Sequence, residues 1–266
     1  MLKILEAIQF NSVFTKGGRT EPWLIQVMVD GERKPYVVKL FTTDDVDHDN
    51  TVAREVFGSV LATEFELPVP QPPLVNFSRD FVRTLPEDIR KILYQRDDRL
   101  KFASAFCENT SLLLPELPSG QIKKIIPDAA TIYAFDTLIN NKDRGNYKTN
   151  ILISNESDSY YIFDHERAFK NTVRLLADIN SNQFSDTLER HVLHQYLSNK
   201  KDKSDLFAQF HEILRTLNIN KLDSYNIFLR KHNLGHNDIV HIKSYLSTLK
   251  QKSGWFVNIL LNSITK

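Results

Sequence analysis

Residues 140–165 read NNKDRGNYKTNILISNESDSYYIFDH, a polar loop followed by two short apolar runs. Asp143 lies in the polar loop, Asn150 immediately precedes the first apolar run, and Asp164 follows the second. The two runs flank a polar turn at 155–159, so we expect a pair of strands. Such a hairpin brings Asn150 and Asp164 to one end of the sheet.

This layout is typical of a phosphoryl-transfer site. An aspartate such as Asp143 orients an attacking hydroxyl, while an amide oxygen and a second carboxylate hold Mg²⁺ against nucleotide phosphates. Asn150 and Asp164 suit Mg²⁺, because this ion takes few protein ligands and completes its shell with phosphate and water. Asp164 has an alternative role as the amino-terminal cap of a short helix beginning at Glu166.

The composition excludes several classes of protein. A chain of 266 residues with 41% hydrophobic and 25% charged residues is an ordinary globular protein. Its net charge of +1 provides no signal for nucleic-acid binding. Cys107 is the only cysteine, which excludes an intramolecular disulfide and a cysteine-based zinc cluster. The start lacks a signal peptide's apolar region and no later run could cross a bilayer, so we expect a cytoplasmic protein without membrane insertion.

Residues 1–112 predict a β-rich lobe with one main helix. Valines recur at four-residue spacing over 50–65, which predicts an amphipathic helix ending before Pro68. Asp30-Gly31 predicts a hairpin turn, and 91–99 has helical character. Strand patterns occur at 2–10, 23–29, 36–41, 74–77 and 102–106.

Residues 113–266 predict a mostly helical lobe around the two strands described above. The helix that ends in the Asp143 loop begins near Asp128, and the last helical pattern is broken near Ser253-Gly254. The fold class is therefore α+β, with two domains at 1–112 and 113–266. Helical patterns cover 128–139, 187–197, 206–217, 221–231 and 237–264.

A phosphoryl-transfer site also needs a lysine on a strand and a glutamate on the next helix. Lys39 ends the β-branched run that begins at Tyr36, and Glu55 lies on the predicted helix. In that pattern the lysine contacts nucleotide phosphates and the glutamate holds it in place. Two unrelated surface charges are the alternative.

A glycine pair lies between the first two predicted strands. Gly17 and Gly18 let the backbone approach an anion closely, and Arg19 and Thr20 add donors for phosphate oxygens. The pair also fits an ordinary hairpin turn. Both interpretations stay open.

Taken together, these motifs resemble the HipA-like kinases, a bacterial branch of the protein-kinase-like fold related to phosphatidylinositol kinases. The resemblance extends to about Phe169 and is most specific between Asp143 and His165. It implies a bilobal protein-kinase-like fold that uses ATP and Mg²⁺. The implied residues are Asp143 and Arg144 for catalysis, Gly17, Gly18, Arg19, Thr20, Lys39 and Glu55 for ATP, and Asn150 and Asp164 for the metal.

One position departs from the kinase pattern. Kinases usually place the metal-binding asparagine five residues after the catalytic aspartate, where this chain has Lys148. Asn146 precedes this position and Asn150 follows it. We favour Asn150, because an apolar strand follows it as in other kinases, and Asn146 stays the alternative.

The resemblance implies an ATP- and Mg²⁺-dependent kinase, with a protein serine or threonine as acceptor. A nucleotide-binding pseudokinase that acts as an interaction module is one alternative, and a small-molecule or lipid kinase is another. The toxin members of the family have additional amino-terminal sequence that binds an antitoxin. This shorter chain puts a toxin role in doubt, and an antitoxin-like regulator is only a possible partner.

Overall fold

A computed structural model describes residues 2–15, 20–184 and 188–265 of the chain. These residues form two compact units, each built from segments that are discontinuous in sequence. The predicted domains, 1–112 and 113–266, are instead continuous, and the segments 57–69, 109–112 and 224–237 are grouped differently in the two divisions. The first unit comprises Met1–Val56, Pro70–Glu108 and Ser224–Asn237, and the second comprises Phe57–Val69, Asn109–Asp223 and Asp238–Lys266.

The described strands are β1 (Ile4–Val13), β2 (Trp23–Val29), β3 (Glu32–Val38), β4 (Leu74–Asn76), β5 (Lys101–Ala105), β6 (Thr110–Leu112), β7 (Ile151–Ser154) and β8 (Tyr160–Ile162). The described helices are α1 (Thr43–Asp47), α2 (Thr51–Glu64), α3 (Arg79–Thr84), α4 (Glu87–Leu93), α5 (Ser119–Ile125), α6 (Ala129–Leu138), α7 (Thr172–Asn180), α8 (His194–Ser198), α9 (Ala208–Thr216), α10 (Lys221–Arg230), α11 (Ile239–Gln251) and α12 (Ser253–Ser263). None of these helices combines the length and the apolar character that crossing a membrane requires.

Strands of the first unit close into a barrel in the order β1-β2-β3-β5-β4. β1 pairs in parallel with β4, and the other neighbours pair antiparallel. Side chains alternate between the two faces of a strand, so Trp23, Ile25 and Val27 of β2 all enter one buried apolar cluster. The buried face of β2 thus contributes to the core of the barrel.

A tight turn joins β2 to β3 at the predicted Asp30-Gly31 pair. Both residues have positive φ angles, 51° and 85°, as a two-residue hairpin turn of this type requires. β3 then ends at Val38, and the backbone N–H of Lys39 donates to the carbonyl of Phe102 at 3.0 Å. Pairing with β5 therefore continues up to Lys39 and fixes the direction in which its side chain leaves.

The second unit is organised around α6. Every residue of this helix is buried, which is expected for a helix that is apolar on all sides. Phe135 packs against Phe65 with 5.6 Å between ring centroids, and Phe65 stacks on Phe210 at 5.0 Å. An antiparallel sheet in the order β6-β7-β8 completes this unit.

The α+β class is confirmed, with a β-rich amino-terminal region and a helical carboxy-terminal region. β2 has the predicted bounds, and the break between α11 and α12 lies at Lys252, one residue before the predicted position. The helical prediction for 91–99 is wrong beyond Leu93. There the Asp97 carboxylate accepts hydrogen bonds from the backbone and guanidinium of Arg99, which stabilise a turn.

The remaining differences concern short elements. Helices α1, α3 and α5 and strand β6 were not predicted, because segments this short carry little periodicity. The amphipathic helix α7 was also missed. The predicted helix over 187–197 is present only as α8, which begins at His194. Residues 185–187 lie outside the described part of the chain.

Gly58 on α2 lies directly against His165 within the second unit. A Cβ atom at position 58 would be 2.3 Å from the Cβ of His165, closer than such atoms approach in proteins. His165 is buried, and its ring stands edge-on to Phe135 at 6.1 Å between centroids. The histidine therefore has little room to move aside.

We expect Gly58→Ala to lower the free energy of unfolding by about 1–3 kcal/mol, because the added methyl group overpacks this contact. Urea unfolding followed by circular dichroism measures the change. Gly254→Ala on α12 is the matched control, since nothing lies within 4 Å of a Cβ atom there. The control corrects for the better helix propensity of alanine, and equal stability of the two variants would contradict the packing argument.

Candidate active site

The polar loop that contains Asp143 folds back on itself in a tight turn. The backbone N–H of Gly145 donates to the carbonyl of Lys148 at 3.1 Å, and the N–H of Lys148 donates to the carbonyl of Gly145 at 3.2 Å. Asn146 and Tyr147 form the exposed tip of this turn. The turn returns Lys148 toward Asp143 and leaves Asn146 in solvent.

A buried ion pair anchors this loop to the core helix. The guanidinium of Arg144 donates from Nε to Asp136 Oδ2 at 2.6 Å and from Nη2 to Asp136 Oδ1 at 3.4 Å, and both side chains are 0% exposed. Its Nη1 donates to the carbonyl of Asn150, and to that of Phe163 at 3.3 Å. One side chain thus connects α6, the Asp143 loop and the ends of the β7–β8 hairpin.

His191 completes the cluster around Asp136. Its Nε2 lies 2.9 Å from Asp136 Oδ2, while its Nδ1 accepts a hydrogen bond from the backbone N–H of Leu193 at 3.1 Å. An accepting Nδ1 carries no proton, so the ring is neutral and donates from Nε2.

The pKa values of the cluster agree with this assignment. Burial lowers the pKa of His191 by more than the neighbouring Asp136 raises it. Burial alone would raise the pKa of Asp136, but the charge of Arg144 and the hydrogen bond from His191 outweigh it and lower that pKa to about 2. Asp136 is therefore an ionised carboxylate that holds a charged arginine and a neutral histidine.

Asn141 ties the two aspartates of the site to the same cluster. Its amide donates to Asp136 Oδ1 at 3.3 Å and to the backbone carbonyl of Asp164 at 3.5 Å. Its oxygen accepts from the backbone N–H of Asp143 at 3.4 Å. The backbones of Asp143 and Asp164 are thus positioned by one fully buried side chain.

The side chains of Asp143 and Asp164 converge on one ammonium group. Lys148 Nζ lies 3.1 Å from Asp143 Oδ2 and 2.5 Å from Asp164 Oδ2. Burial lowers the pKa of Lys148, but the charges of Asp164 and Asp143 raise it by more, so the ammonium is charged at neutral pH. Arg167 adds a second cation, with Nε 3.5 Å from Asp143 Oδ1.

The two asparagines considered as metal ligands lie in different surroundings. Asn150 is buried, and its amide lies 3.4 Å from the carbonyl and 3.5 Å from the carboxylate of Asp143. The backbone N–H of Phe163 donates to the carbonyl of Asn150 at 3.2 Å, which brings Asn150 beside Asp164 as the hairpin pattern predicts. Asn146 is exposed at the tip of the turn.

The oxygen ligands available at this site suit a magnesium ion. Asp164 offers a buried carboxylate and Asn150 a buried amide, and oxygen ligands of this kind are those that Mg²⁺ takes from proteins. The attraction of Lys148 to Asp164 indicates a negative potential that favours a cation. Both residues also have left-handed backbones, with φ angles of 50° and 67°, a conformation that asparagine and aspartate adopt more readily than most residues.

Three of the residues predicted to bind ATP, Thr20, Lys39 and Glu55, lie in the first unit. The ammonium of Lys39 donates to the carboxylate of Glu55, and both side chains are buried or nearly so. The lysine at the end of β3 and the glutamate of α2 therefore meet, as the strand-and-helix pattern predicts. Thr20 is buried, whereas Gly17, Gly18 and Arg19 lie outside the described residues.

Sequence reasoning missed the partners that hold the site together. Asp136 had a detectable signal, because it is the only charged residue in the apolar helix α6 and precedes Arg144 by eight positions. His191 had no such signal, since it lies far along the chain in an irregular segment. No local sequence pattern indicated that Lys148 would pair with both aspartates.

Comparison with known proteins gives a family and a fold. A sequence model of the HipA-like kinases matches residues 10–255. No curated protein matches the chain. Among solved structures, the chain is similar to the proinflammatory kinase CtkA of Helicobacter pylori, with a TM-score of 0.54 and 13% identity over 99% of this chain and 98% of that one. At this identity the likeness shows the fold alone.

The neutral state of His191 predicts how stability depends on pH. Its folded pKa is depressed by burial, so its contribution is complete above the unfolded value of about 6.5 and is lost as the pH falls toward the folded pKa. Asp136 contributes a further loss only below about pH 4. We expect His191→Gln to flatten the profile between pH 7 and 5, as measured by urea unfolding.

His241→Gln is the control for this experiment, because His241 is half exposed. Its profile should follow that of the wild type. A His191→Gln variant with an unchanged pH dependence would show that His191 is not a buried neutral histidine.

Proposed function

Because the chain belongs to the HipA-like kinase family, we propose that it transfers the γ-phosphoryl group of ATP to a serine or threonine of a protein in a Mg²⁺-dependent reaction. One observation carries the proposal. The carboxylates of Asp143 and Asp164 converge within hydrogen-bond distance of a single ammonium, with the buried amide of Asn150 beside them. A kinase needs these groups together to place an acceptor hydroxyl and a metal at the same phosphate.

In this proposal Asp143 accepts the hydrogen bond of the acceptor hydroxyl and orients its oxygen toward phosphorus. Arg167 and Lys148 flank this carboxylate and place two positive charges beside it. Positioning and electrostatic stabilisation supply most of the acceleration in phosphoryl transfer.

Asn150 and Asp164 hold Mg²⁺, which supplies positive charge to offset the phosphates. Lys39, kept in place by Glu55, contacts a nucleotide phosphate. Arg144 does not reach a substrate in this assignment, because its guanidinium is buried against Asp136. It is a positioning residue for the Asp143 loop.

The contacts of Lys148 support a second candidate function. An ammonium bound to Asp164 is also what a pseudokinase would show if it bound nucleotide without transferring phosphate. Turnover separates the two functions. Incubation with labelled ATP and Mg²⁺, followed by mapping of the labelled residue, measures turnover and identifies the acceptor chemistry together.

The assignments of Asp143 and Asp164 predict different losses. Asp143→Ala should reduce transfer by about 10²-fold or more, because the acceptor is no longer oriented, and it should leave nucleotide binding largely intact. Asp164→Asn should weaken Mg²⁺-dependent nucleotide binding as well. Phosphoryl transfer at the wild-type rate by the purified Asp143→Ala variant would contradict the proposal.

The same assay tests which asparagine holds the metal. Asn150→Ala should raise the Mg²⁺ concentration needed for nucleotide binding, because it removes an oxygen ligand. Asn146→Ala is the matched control, since this asparagine is exposed in the same loop. A larger effect of Asn146→Ala would move the ligand to position 146.

The Lys39–Glu55 pair predicts non-additive effects on nucleotide affinity. Lys39→Met should weaken binding, Glu55→Gln should weaken it less, and the double variant should resemble Lys39→Met because both changes break one interaction. Isothermal titration with an ATP analogue measures the coupling, expected at about 0.5–3 kcal/mol. Lys34→Met should have no effect, since Lys34 pairs with Glu32 on the exposed part of β3. Additive losses would mean that Lys39 and Glu55 act separately.

A further inference from the structure

We propose that Lys148 supplies a tethered positive charge in place of one of the two metal ions that protein kinases usually bind, so that this chain binds ATP with a single divalent ion. The inference rests on the proposed kinase function. It follows from the identity of the residue at this position, its contacts and the chemistry of an ammonium group.

Counted from Asp143, position 148 has the sequence spacing of the kinase metal asparagine, but the proposed assignment gives that role to Asn150 and leaves a cation at 148. In protein kinases the catalytic-loop asparagine and the following metal aspartate hold two Mg²⁺ ions between them. The asparagine lies five residues after the catalytic aspartate, and Lys148 has that spacing from Asp143. An ammonium group has three donors and no acceptor, so it cannot coordinate a metal. It repels a second divalent ion instead.

The loop holds the ammonium in place. Two backbone hydrogen bonds between Gly145 and Lys148 fix the turn, and Gly145 also forms a bridge with His191. The backbone N–H of Val192 donates to the carbonyl of Arg144 at 3.0 Å. The turn is therefore attached to the buried cluster around Asp136, and Lys148 extends from a supported backbone.

Lys148 contacts the proposed metal ligand Asp164 most closely, with its Nζ 2.5 Å from Asp164 Oδ2, and it contacts Asp143 as well. Its Nζ lies 3.1 Å from Asp143 Oδ2, and Asp143 is not a metal ligand in the proposed assignment. A single ion bound by Asp164 and Asn150 therefore leaves the ammonium a carboxylate partner. Lys148 and one Mg²⁺ then neutralise Asp164 and the phosphates together. In other protein kinases two Mg²⁺ ions supply this positive charge.

Counting bound Mn²⁺ ions tests the inference without depending on turnover. Purified protein with a saturating, non-hydrolysable ATP analogue is titrated with Mn²⁺, and electron paramagnetic resonance measures the free ion. We expect one Mn²⁺ per complex for the wild type and for Lys148→Arg, which keeps the charge. Lys148→Asn should bind two, because an amide oxygen replaces the ammonium.

Lys142→Asn is the matched control, since it makes the same substitution at an exposed position of the same loop. It should bind one Mn²⁺. Thermal unfolding of each variant shows that the fold is retained, and Lys148→Arg keeps the test valid if Lys148→Asn is unstable.

Two results would overturn the inference while leaving the kinase proposal intact. The first is two Mn²⁺ ions in the wild-type complex. The second is one ion in Lys148→Asn with tighter binding, which would make Lys148 a competitor for the metal site. Failure of all variants to bind the analogue with Mn²⁺ would overturn both proposals together.

Discussion

The buried ion pair between Arg144 and Asp136 is the interaction on which the candidate site depends. Removing two charges from water is costly, and such a pair persists only when its remaining donors and acceptors are satisfied. Arg144 meets this condition by donating to Asp136 and to the carbonyls of Asn150 and Phe163, and His191 donates to the same carboxylate. Loss of one partner from such a pair typically costs about 3–5 kcal/mol.

This cluster converts a rigid apolar helix into a support for a polar loop. α6 is buried on all sides and has little freedom to move, so a charge fixed on it provides a stationary reference point. Hydrogen bonds of Asn141 connect the cluster on α6 to the backbones of Asp143 and Asp164. Side chains that must act together within a fraction of an ångström are best held by such satisfied buried networks.

Charge balance is the second constraint on the site. Two carboxylates that converge repel each other unless cations lie between or beside them. Lys148 and Arg167 provide this charge around Asp143 and Asp164, and Lys39 and Glu55 form a corresponding pair in the first unit. Candidate site residues in both units are therefore held by contacts between opposite charges, and hydrogen bonds between charged groups are stronger than neutral ones.

The amino-acid sequence alone determined the secondary structure of most segments, the Asp30-Gly31 turn and the chain order of the candidate residues, because periodicity and turn chemistry are local properties. It also indicated that Lys39 would meet Glu55, since a strand followed by a helix constrains that pair. Only the tertiary structure decided that Asn150 is buried while Asn146 is exposed. It also decided that His191 contacts Asp136 and that Lys148 contacts Asp143 and Asp164. These contacts depend on how distant segments pack, and local sequence patterns do not encode that packing.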